Sequence, residues 1–474
     1  MARVTSFYRS IPTTTSRVLV VPSATGTIKS YVSSTAALSV GESNITKAYL
    51  AVFGRCPDRS GLAYWVSTLG SSVSMTAAVN ALVAFVASSY VLDTDTGVSI
   101  SLLFHHLLGK VKEEDPDGWN YWVSVKSSGA SYGSVAESMF IASDSASGYS
   151  ADLMRNRVLA AESAVRLSKA YGRDLSVQTS SAAVLRVRGD VASYDAAMVD
   201  LRRLLVLGIA STPLSWGTSY SSGSIINGAV AIDRSQFRQF RNLVWYNRDG
   251  DMMIATVYLP PTFAIVAQHK AVIALHGGGW RQGYPEVIYR YCTSLASSFV
   301  VVAPTYRLSA AGYPSPAPEN DVADFWGLLN SATFLKLYSG KIGIFGESSG
   351  GHLGCLLGAK QNVPRVLALY PPINLTGSTA VSAGLDPYVD YYTTNSSLQS
   401  AASPNLVWTA ARTTNFKLWH GTSDTLVPSS QSGQMDSAVG ALCTVVYRTG
   451  EGHGFSEAVR KEVVTDAISY FGSM

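Results

Sequence analysis

The sequence predicts two folds in one chain: an all-α N-terminal region and a C-terminal, mostly parallel β-sheet covered by helices on both faces. In residues 42–215, apolar positions recur every three or four residues, as on the buried face of a helix. After Asp233, short apolar runs of strand length alternate with helical segments. Strands that are apolar throughout are buried on both faces, which is typical of parallel sheets. The length of 474 residues is enough for two or three domains.

Composition and charge argue against several classes of function. The net charge of +4 is small and evenly spread, so we expect no nucleic-acid partner. No apolar run reaches the roughly 20 residues of a membrane-spanning helix, and we recognise no secretory signal peptide. The charged fraction of 14% is low, which favours an extracellular, cell-surface or virion-associated protein. The four cysteines lie far apart, and we expect buried free thiols.

Residues 1–41 form a segment of distinct composition. They are rich in Ser, Thr and Val and contain no acidic residue. Pro12, Pro22 and the β-branched runs favour an extended N-terminal arm that docks on a partner surface. The alternatives are a disordered tail or a transit peptide.

Residues 42–148 contain two copies of one helical unit. The copies share Gly, Tyr and Trp at a constant offset of 57 positions: Gly61 and Gly118, Tyr64 and Tyr121, Trp65 and Trp122. In each copy a helix is predicted to end at a glycine, and a Pro/Asp turn is predicted to start the helix that carries the aromatic pair. We predict that these aromatic side chains pack in the core; glycan-stacking platforms are the alternative.

This stretch resembles a tandem helical module of unknown function, built around G-R-x-P-D-x-x-G-x-x-Y-W, that occurs in bacterial surface-layer, secreted calcium-binding and phage structural proteins. The resemblance implies attachment to a virion or surface layer. Asp115 and Asp117 are interpreted as helix caps, with calcium binding as the alternative. Whether the module binds glycan, calcium or a protein is left open. Residues 149–215 continue as helices, and the Gly/Ser-rich stretch 216–235 is a predicted linker to a catalytic domain at 236–474.

A glycine-framed serine marks the candidate chemistry. Ser348 lies between Gly346 and Gly350 in a G-x-S-x-G pattern, after an apolar run and before a helical pattern. This is the pattern of a nucleophilic serine on a tight strand-to-helix turn. Such a serine needs an imidazole base, and the base needs a carboxylate, in the chain order Ser, acid, His. His453 is the one histidine beyond every acid considered, and Asp424 directly follows a predicted strand; Glu451 is the second choice of acid.

A triple glycine supplies candidate donors for the oxyanion. His276-Gly-Gly-Gly-Trp280 follows the predicted strand 270–275. We predict that the backbone N–H groups of Gly278, Gly279 and Ser349 bind the oxyanion. Trp280 is predicted to bind substrate by walling the acyl pocket, or else to pack beneath the loop. The remaining site histidines are assigned structural roles: His276, His352 and His420.

Residues 236–474 resemble an α/β-hydrolase of the hormone-sensitive-lipase-like branch, with bacterial carboxylesterases such as feruloyl and acetyl-xylan esterases as the most similar group. The motifs that carry the resemblance are these: His276 to Trp280, Thr305 to Leu308, Asp321-Val322, Gly346 to Leu353, His420 to Asp424 and Gly452 to Phe455. The commonest elbow has Asp before the serine and Ala after it, where this chain has Glu347 and Ser349.

The resemblance implies a serine esterase that needs no metal and no organic cofactor. Ser348 would attack an ester carbonyl, His453 would act as general base and then general acid, and Asp424 would orient His453. An acylated glycan or a small ester is the expected substrate, on a surface or extracellular polysaccharide, with the N-terminal region as anchor. The alternatives are a formamidase- or amidase-like hydrolase and a non-catalytic structural or adhesion protein. The acyl group, the alcohol, the host and the oligomeric state are not determined by the sequence.

Overall fold

The chain forms two compact units. The computed structural model describes residues 35–86, 96–189, 191–211, 213–216, 232–234, 237–261, 268–331, 337–376 and 386–474. The first unit extends to Thr212 and includes Gly250–Met252, and the second comprises Pro213–Asp249 and Met253–Met474. Most of the predicted arm at 1–41 lies outside the described residues, and the first described helix begins at Val40. The finer division into five segments stays a prediction.

All regular secondary structure in the first unit, within its described residues from 35 to 211, is helical. Its helices are α1 (Val40–Phe53), α2 (Arg59–Leu69), α3 (Met75–Val86), α4 (Thr96–Leu103), α5 (Pro116–Ser127), α6 (Tyr132–Ser145), α7 (Tyr149–Tyr171), α8 (Val177–Leu185) and α9 (Val191–Leu201). Helices α4 and α9 each continue into one wider, π-helical turn, Phe104–Leu108 and Arg202–Val206. Apolar residues at helical spacing, such as Leu82 and Leu103, are almost fully buried.

The two sequence copies have the same local structure. Gly54 and Gly109 end their helices with φ of 63° and 60°, a left-handed conformation that glycine adopts without steric cost. The next helix is then capped by an aspartate in both copies. Asp58 accepts a hydrogen bond from Gly61 N–H at 2.8 Å, and Asp115 accepts one from the N–H of Gly118 at 3.1 Å.

The prediction that the paired aromatic side chains pack in the core is confirmed for the tryptophans and wrong for the tyrosines. Trp65 and Trp122 are 6% and 7% exposed and pack inside the unit. Their neighbours Tyr64 and Tyr121 are 55% and 47% exposed. Adjacent residues on a helix point about 100° apart, so one face of the helix cannot bury both. Each tyrosine instead packs edge-on against its own tryptophan, at 5.1 Å and 5.0 Å between ring centroids.

Asp115 also forms a buried ion pair that Asp58 lacks. Its Oδ2 lies 2.9 Å from Lys110 Nζ, and both side chains are less than a tenth exposed. The carboxylate thus caps the helix, as the capping interpretation predicts for Asp115, and also pairs with a lysine. Asp117 lies in the first turn of α5 and is not its N-cap, so the interpretation is wrong for Asp117. Breaking a buried ion pair usually costs more than losing a helix cap, because the remaining charge stays buried.

We predict that Asp58→Ala lowers the free energy of unfolding by about 1 kcal/mol, and that Asp115→Ala lowers it by about 3 kcal/mol. Urea unfolding of the full chain, followed by far-UV circular dichroism, measures both. Asp117→Ala, an exposed first-turn position in the same helix as the Asp115 cap, is the matched control and should change stability by less than about 0.5 kcal/mol. Equal losses for the two cap variants would contradict a special role for the buried ion pair.

The second unit is built on a mostly parallel sheet. The described strands are β1 (Ser215–Trp216), β2 (Ile232–Arg234), β3 (Phe237–Tyr246), β4 (Met252–Leu259), β5 (His269–Leu275), β6 (Val300–Pro304), β7 (Leu337–Glu347), β8 (Arg365–Leu369), β9 (Asn415–Gly421) and β10 (Cys443–Arg448). Their order is β1-β3-β4-β6-β5-β7-β8-β9-β10, with β2 paired to β3. From β6 to β10 every pair is parallel, while β1–β3, β2–β3 and β4–β6 are antiparallel.

Helices connect the parallel strands. They are α10 (Tyr289–Leu295), α11 (Ala317–Asn330), α12 (Ser349–Lys360), α13 (Asp386–Tyr392), α14 (Ser396–Ala401), α15 (Pro404–Val407), α16 (Ser430–Val439) and α17 (Glu457–Gly472). The central strands have apolar, buried segments, such as the whole of β6 and residues 342–346 of β7, with Val302 and Ile344 fully buried. Because parallel strands with crossover helices are covered on their faces, they need this apolar character.

The sheet begins earlier in the chain than predicted. Most of the predicted linker at 216–235 lies outside the described residues, but its described ends, Trp216 and Ile232–Arg234, belong to β1 and β2. The sheet therefore includes residues on the N-terminal side of the predicted boundary at 236, because these short strands pair with β3. The apolar runs after Asp233 predict seven strands, at 252–259, 270–275, 299–304, 341–345, 366–370, 416–419 and 444–447. All seven are present, each within a few residues of its predicted limits.

Two further expectations concern the cysteines and the membrane. All four cysteines are buried and free, as predicted. Within the described ranges, no helix has the combination of length and apolar character required to cross a bilayer.

Candidate active site

Four loops at the carboxyl edge of the sheet carry the candidate site. In parallel sheets the carboxyl ends of the strands meet at one edge, where binding residues collect. The loop residues that the sequence singled out follow four parallel strands: His276–Trp280 follows β5, Ser348 follows β7, Asp424 follows β9 and His453 follows β10.

Ser348 occupies a strained turn between β7 and α12. Its φ of 53° is a left-handed value that a residue with a side chain seldom adopts. Glycine is required on both sides of the turn. A Cβ on Gly346 would lie 2.5 Å from the carbonyl oxygen of Gly350, and a Cβ on Gly350 would overlap the carbonyl of Leu275. The turn is held by the Ser348 N–H, which donates to Leu369 O at 2.9 Å.

Ser348, His453 and Asp424 form a hydrogen-bonded chain. His453 Nε2 lies 3.1 Å from Ser348 Oγ, and His453 Nδ1 lies 2.8 Å from Asp424 Oδ2. With Nδ1–H donated to the carboxylate, the lone pair of Nε2 faces the serine hydroxyl. The His453 side chain is 22% exposed, whereas the Asp424 side chain is fully buried. The structure therefore brings together the three residues that the sequence proposed.

Asp424 is held as a carboxylate. Its Oδ1 accepts the N–H groups of Leu426 and Val427, each at 2.9 Å. Burial opposes ionisation, but hydrogen bonds from His420, His453 and the Val427 N–H outweigh it and keep the Asp424 pKa well below its usual range. The carboxylate is therefore ionised at neutral pH.

Glu451, the second choice of acid, has another partner. Its carboxylate accepts both the N–H and the hydroxyl of Ser456, each at 2.6 Å, and so holds the N-cap residue of the last helix, α17. Asp424, and not Glu451, is therefore the carboxylate that is hydrogen-bonded to the imidazole of His453. Strand β9 ends three residues before Asp424 and fixes its position in the sheet.

The glycine loop passes directly beside the serine. A Cβ on Gly277 would lie 3.3 Å from Ser348 Cβ. Gly278 and Gly279 have φ of 131° and 61°, and a Cβ on either would overlap Gln282 O or the ring of Tyr388, respectively. Only glycine fits this path, and at Gly277 the backbone passes close to the nucleophile.

Ser349 is the first residue of α12. The first N–H groups of a helix have no partner within the helix, and the positive end of the helix dipole lies there. The Ser349 N–H therefore has the chemical character of an oxyanion donor. Binding of an oxyanion by Gly278, Gly279 and Ser349 stays a prediction.

A buried histidine braces the glycine loop. His276 Nδ1 lies 2.8 Å from Gly277 O, and Tyr306 donates its hydroxyl to His276 O at 2.8 Å. The two rings stack with centroids 4.3 Å apart. Burial lowers the pKa of His276 to about 4, so the ring is neutral under ordinary conditions. This geometry agrees with the structural role that the sequence suggested.

The position of Trp280 in the structure contradicts the prediction that it walls the acyl pocket. The residue is fully buried, and its Nε1 donates to His352 Nδ1 at 3.1 Å. Its ring stacks on Tyr392 at 4.6 Å. A side chain that is covered on all sides cannot wall a substrate pocket, so Trp280 packs beneath the loop. The assignment as a substrate-binding residue was wrong because the motif gives the position of the side chain but not its direction.

A second buried network supports the loop after β6. Arg307 Nε lies 3.1 and 3.0 Å from the two carboxylate oxygens of Asp321, and the Arg307 N–H donates to the same carboxylate at 2.8 Å. Asn247 adds an amide donor at 3.0 Å. Burial raises the pKa of Asp321 to about 6, although Arg307 acts in the opposite direction. The network joins β3, β6 and α11 below the site.

Two site residues were missed by sequence reasoning. Tyr388 lies against Gly279, and Arg281 lies over the Tyr388 ring at 5.6 Å. Tyr370 packs its ring 4.4 Å from the ring of His453. The position of Tyr370 at the end of a predicted strand was a usable signal. Nothing in the sequence near Tyr388 connects it with the glycine loop.

Comparisons with known proteins concern the second unit. Residues 256–439 match the family model described as BD-FAE, and His453 lies beyond the end of the match. Ethyl acetate hydrolase of Pseudomonas putida is 31% identical over 124 residues, which are 26% of this chain and 39% of that protein. Neutral cholesterol ester hydrolase 1 of Bos taurus is 32% identical over 100 residues, 20% of this chain and 24% of that protein. The chain thus spans well under half the length of these curated relatives.

Solved structures of esterases also align with the chain. A hyperthermophilic esterase from the archaeon Pyrobaculum calidifontis is 22% identical with a TM-score of 0.44, covering 51% of this chain and 87% of that one. Esterase 2 of Thermogutta terrifontis, phosphonylated by sarin, is 18% identical with a TM-score of 0.41, covering 45% and 87%. The curated relatives are named as ester hydrolases, and with the family match they support a carboxylic ester hydrolase.

The neutral histidines beneath the site predict how stability depends on pH. His352 is fully buried, with Nε2 2.7 Å from Ala402 O, and burial lowers its pKa to about 4. An unfolded histidine has a pKa of about 6.5. Between these two values the unfolded chain binds a proton that the folded chain does not, so stability is lost as the pH falls.

We predict that His352→Gln reduces the loss of unfolding free energy between pH 7 and pH 4.5 by about 2 kcal/mol relative to wild type. Glutamine cannot titrate, and its amide still reaches the Ala402 carbonyl. Urea unfolding curves of both proteins at the two pH values measure the difference. Ser437→Ala, at an exposed position on α16 that carries no ionisable group, is the control and should leave the pH dependence unchanged. An unaltered pH dependence of stability in His352→Gln would show that His352 binds its proton as readily in the folded protein as in the unfolded chain.

Proposed function

We propose that this protein is a serine esterase that hydrolyses carboxylic esters through Ser348, His453 and Asp424. The observation that supports it most is the pair of hydrogen bonds, 3.1 Å from His453 to Ser348 and 2.8 Å from His453 to Asp424. A serine hydroxyl becomes nucleophilic when an imidazole accepts its proton, and the carboxylate stabilises the resulting imidazolium. All three groups are on loops fixed by strands of one sheet.

The proposed reaction has two halves. In the first, Ser348 Oγ attacks the ester carbonyl carbon while His453 Nε2 takes the hydroxyl proton. The carbonyl oxygen becomes an oxyanion and accepts hydrogen bonds from the N–H groups of Gly278, Gly279 and Ser349. His453 then gives the proton to the departing alcohol, and an acyl-enzyme remains. In the second half, water attacks the acyl-enzyme with His453 again as base, which releases the acid and restores Ser348.

We predict that Ser348→Ala lowers kcat on short-chain nitrophenyl esters by a factor on the order of 10⁴ to 10⁶, and Asp424→Asn by about 10⁴. The first change removes the nucleophile, and the second removes the charge that orients His453. Ser437→Ala, an exposed serine on α16, is the control. Covalent labelling with a fluorophosphonate, which should be lost in Ser348→Ala alone, reports whether the serine is activated. A wild type that neither turns over any ester nor takes up the label would favour a structural or adhesion role.

The natural substrate proposed is an acylated polysaccharide at a cell surface, on a virion or outside the cell. The family match and the low charged fraction support this class of substrate, and the tandem helical module supports attachment to a surface. Immunogold electron microscopy of the source cells and of any virions they release tests the location. Label confined to the cell interior would contradict surface attachment.

We predict that the purified protein releases acetate or hydroxycinnamate from acylated polysaccharides faster than from the matching small esters at equal ester concentration. Chromatography of the released acids measures the rates, with chemically deacylated polysaccharide as the blank and Ser348→Ala as the control. Cleavage of nitrophenyl esters without any release from polysaccharides would contradict the glycan substrate but leave the esterase proposal standing. Faster cleavage of formamides than of esters would favour the amidase alternative.

A further inference from the structure

A buried acidic cluster lies directly behind the proposed nucleophile, and the reaction described above does not use it. Glu347 precedes Ser348 in the chain and is 7% exposed. Its Oε1 lies 3.4 Å from the Tyr370 hydroxyl and 3.5 Å from Arg290 Nη2. Its Oε2 is buried and has no hydrogen-bond partner within the residues that the structure describes. Burying a carboxylate with so few partners is costly, so its presence at this position calls for a physical reason.

Tyr370 connects this carboxylate with the imidazole. Its backbone has φ of 39°, a left-handed value that is uncommon for a residue with a side chain. The ring lies 4.4 Å from the His453 ring on one side and 5.0 Å from the Phe455 ring on the other. The hydroxyl of the same ring donates to Glu347. Tyr370 therefore packs under the imidazole and holds the carboxylate on that side of it.

Charged and titratable groups reach this cluster from every packed element. Around Glu347 and His453 they are Arg290, Tyr291 and Cys292 on α10, Tyr306 after β6, Tyr370 after β8, His420 on β9, Asp424 after β9, and Glu451 and Arg460 after β10. Arg460 donates to the carbonyls of Gly454 and Phe455, and Glu451 is bonded to Ser456. Asp424 and Glu347 are thus the buried carboxylates of this set, and they approach His453 from different strands.

We propose that Glu347 is a second positioning residue for the imidazole, one that stabilises the His453 imidazolium from the Tyr370 side while Asp424 stabilises it at Nδ1. The proposal rests on the esterase function proposed above. Glu347 takes no proton: the serine proton passes to His453 Nε2 and from there to the departing alcohol. The carboxylate acts through its charge, and the electrostatic interaction of that charge with the imidazolium is strongest in an environment without water. Burial raises the pKa of Glu347, and the nearby Arg290 and His453 favour its ionised form.

The test uses the full chain and four proteins: wild type, Glu347→Gln, Glu347→Asp and Tyr370→Phe. Glutamine keeps the shape of the side chain and removes the charge. We expect Glu347→Gln to lower kcat/KM about tenfold on its high-pH plateau. We also expect the acid limb of its kcat/KM profile to move about one pH unit lower, because a tenfold change in an acid dissociation constant corresponds to one pH unit. Glu347→Asp should keep the wild-type limb. Tyr370→Phe retains the ring under His453 but loses the donor to Glu347. Its acid limb should lie between that of wild type and that of Glu347→Gln.

Two measurements separate this role from simple packing. Thermal unfolding and active-site titration with a fluorophosphonate correct each rate for the folded, reactive fraction. The pH dependence of fluorophosphonate labelling is then measured beside that of ester turnover. A rate that falls while the acid limb stays fixed in Glu347→Gln would assign Glu347 to packing and overturn the proposal. A wild type without turnover and labelling would overturn the esterase function itself, whereas an active wild type with an unshifted Glu347→Gln limb would overturn only the role of Glu347.

Discussion

The close approach of backbone at the serine turn is the constraint on which the rest of the site depends. At Gly346 and Gly350 the turn meets the carbonyl groups of Gly350 and Leu275 with no room for a Cβ atom. This contact brings the ends of β5 and β7 and the start of α12 together. It also holds Ser348 in a left-handed conformation, which costs on the order of 1–3 kcal/mol. The surrounding parallel strands, whose ends next to the serine turn are buried, maintain that strain.

The electrostatics of the site follow from where polar groups are buried. His276 and His352 lie in the interior, each bonded to a backbone carbonyl. Burial holds their pKa values near 4, so these rings are neutral. Asp424 is buried as well, but backbone N–H groups and two histidines keep it ionised. The imidazole of His453 is partly exposed and lies between this carboxylate and the serine.

Much of the fold could be read from residue patterns, because those patterns record local physical requirements. Continuous apolar runs marked the strands from β4 to β10, since strands buried on both faces admit few polar residues. Gly54 and Gly109 marked two helix ends, because a left-handed residue there favours glycine. Short strands with mixed character, β1 and β2, gave no such pattern, and their pairing with β3 became evident only in three dimensions.

The sequence by itself determined the chemical inventory of the site: a glycine-framed serine, a glycine loop, and an aspartate and a histidine in the required order. Those identities are local, since each depends on the few residues around it. Only the tertiary structure decided which groups meet. It put Asp424 and not Glu451 on the imidazole, turned Trp280 inward, and brought Tyr370 and Glu347 up to His453. Side-chain direction depends on packing between elements far apart in the chain, and a linear pattern contains no record of that packing.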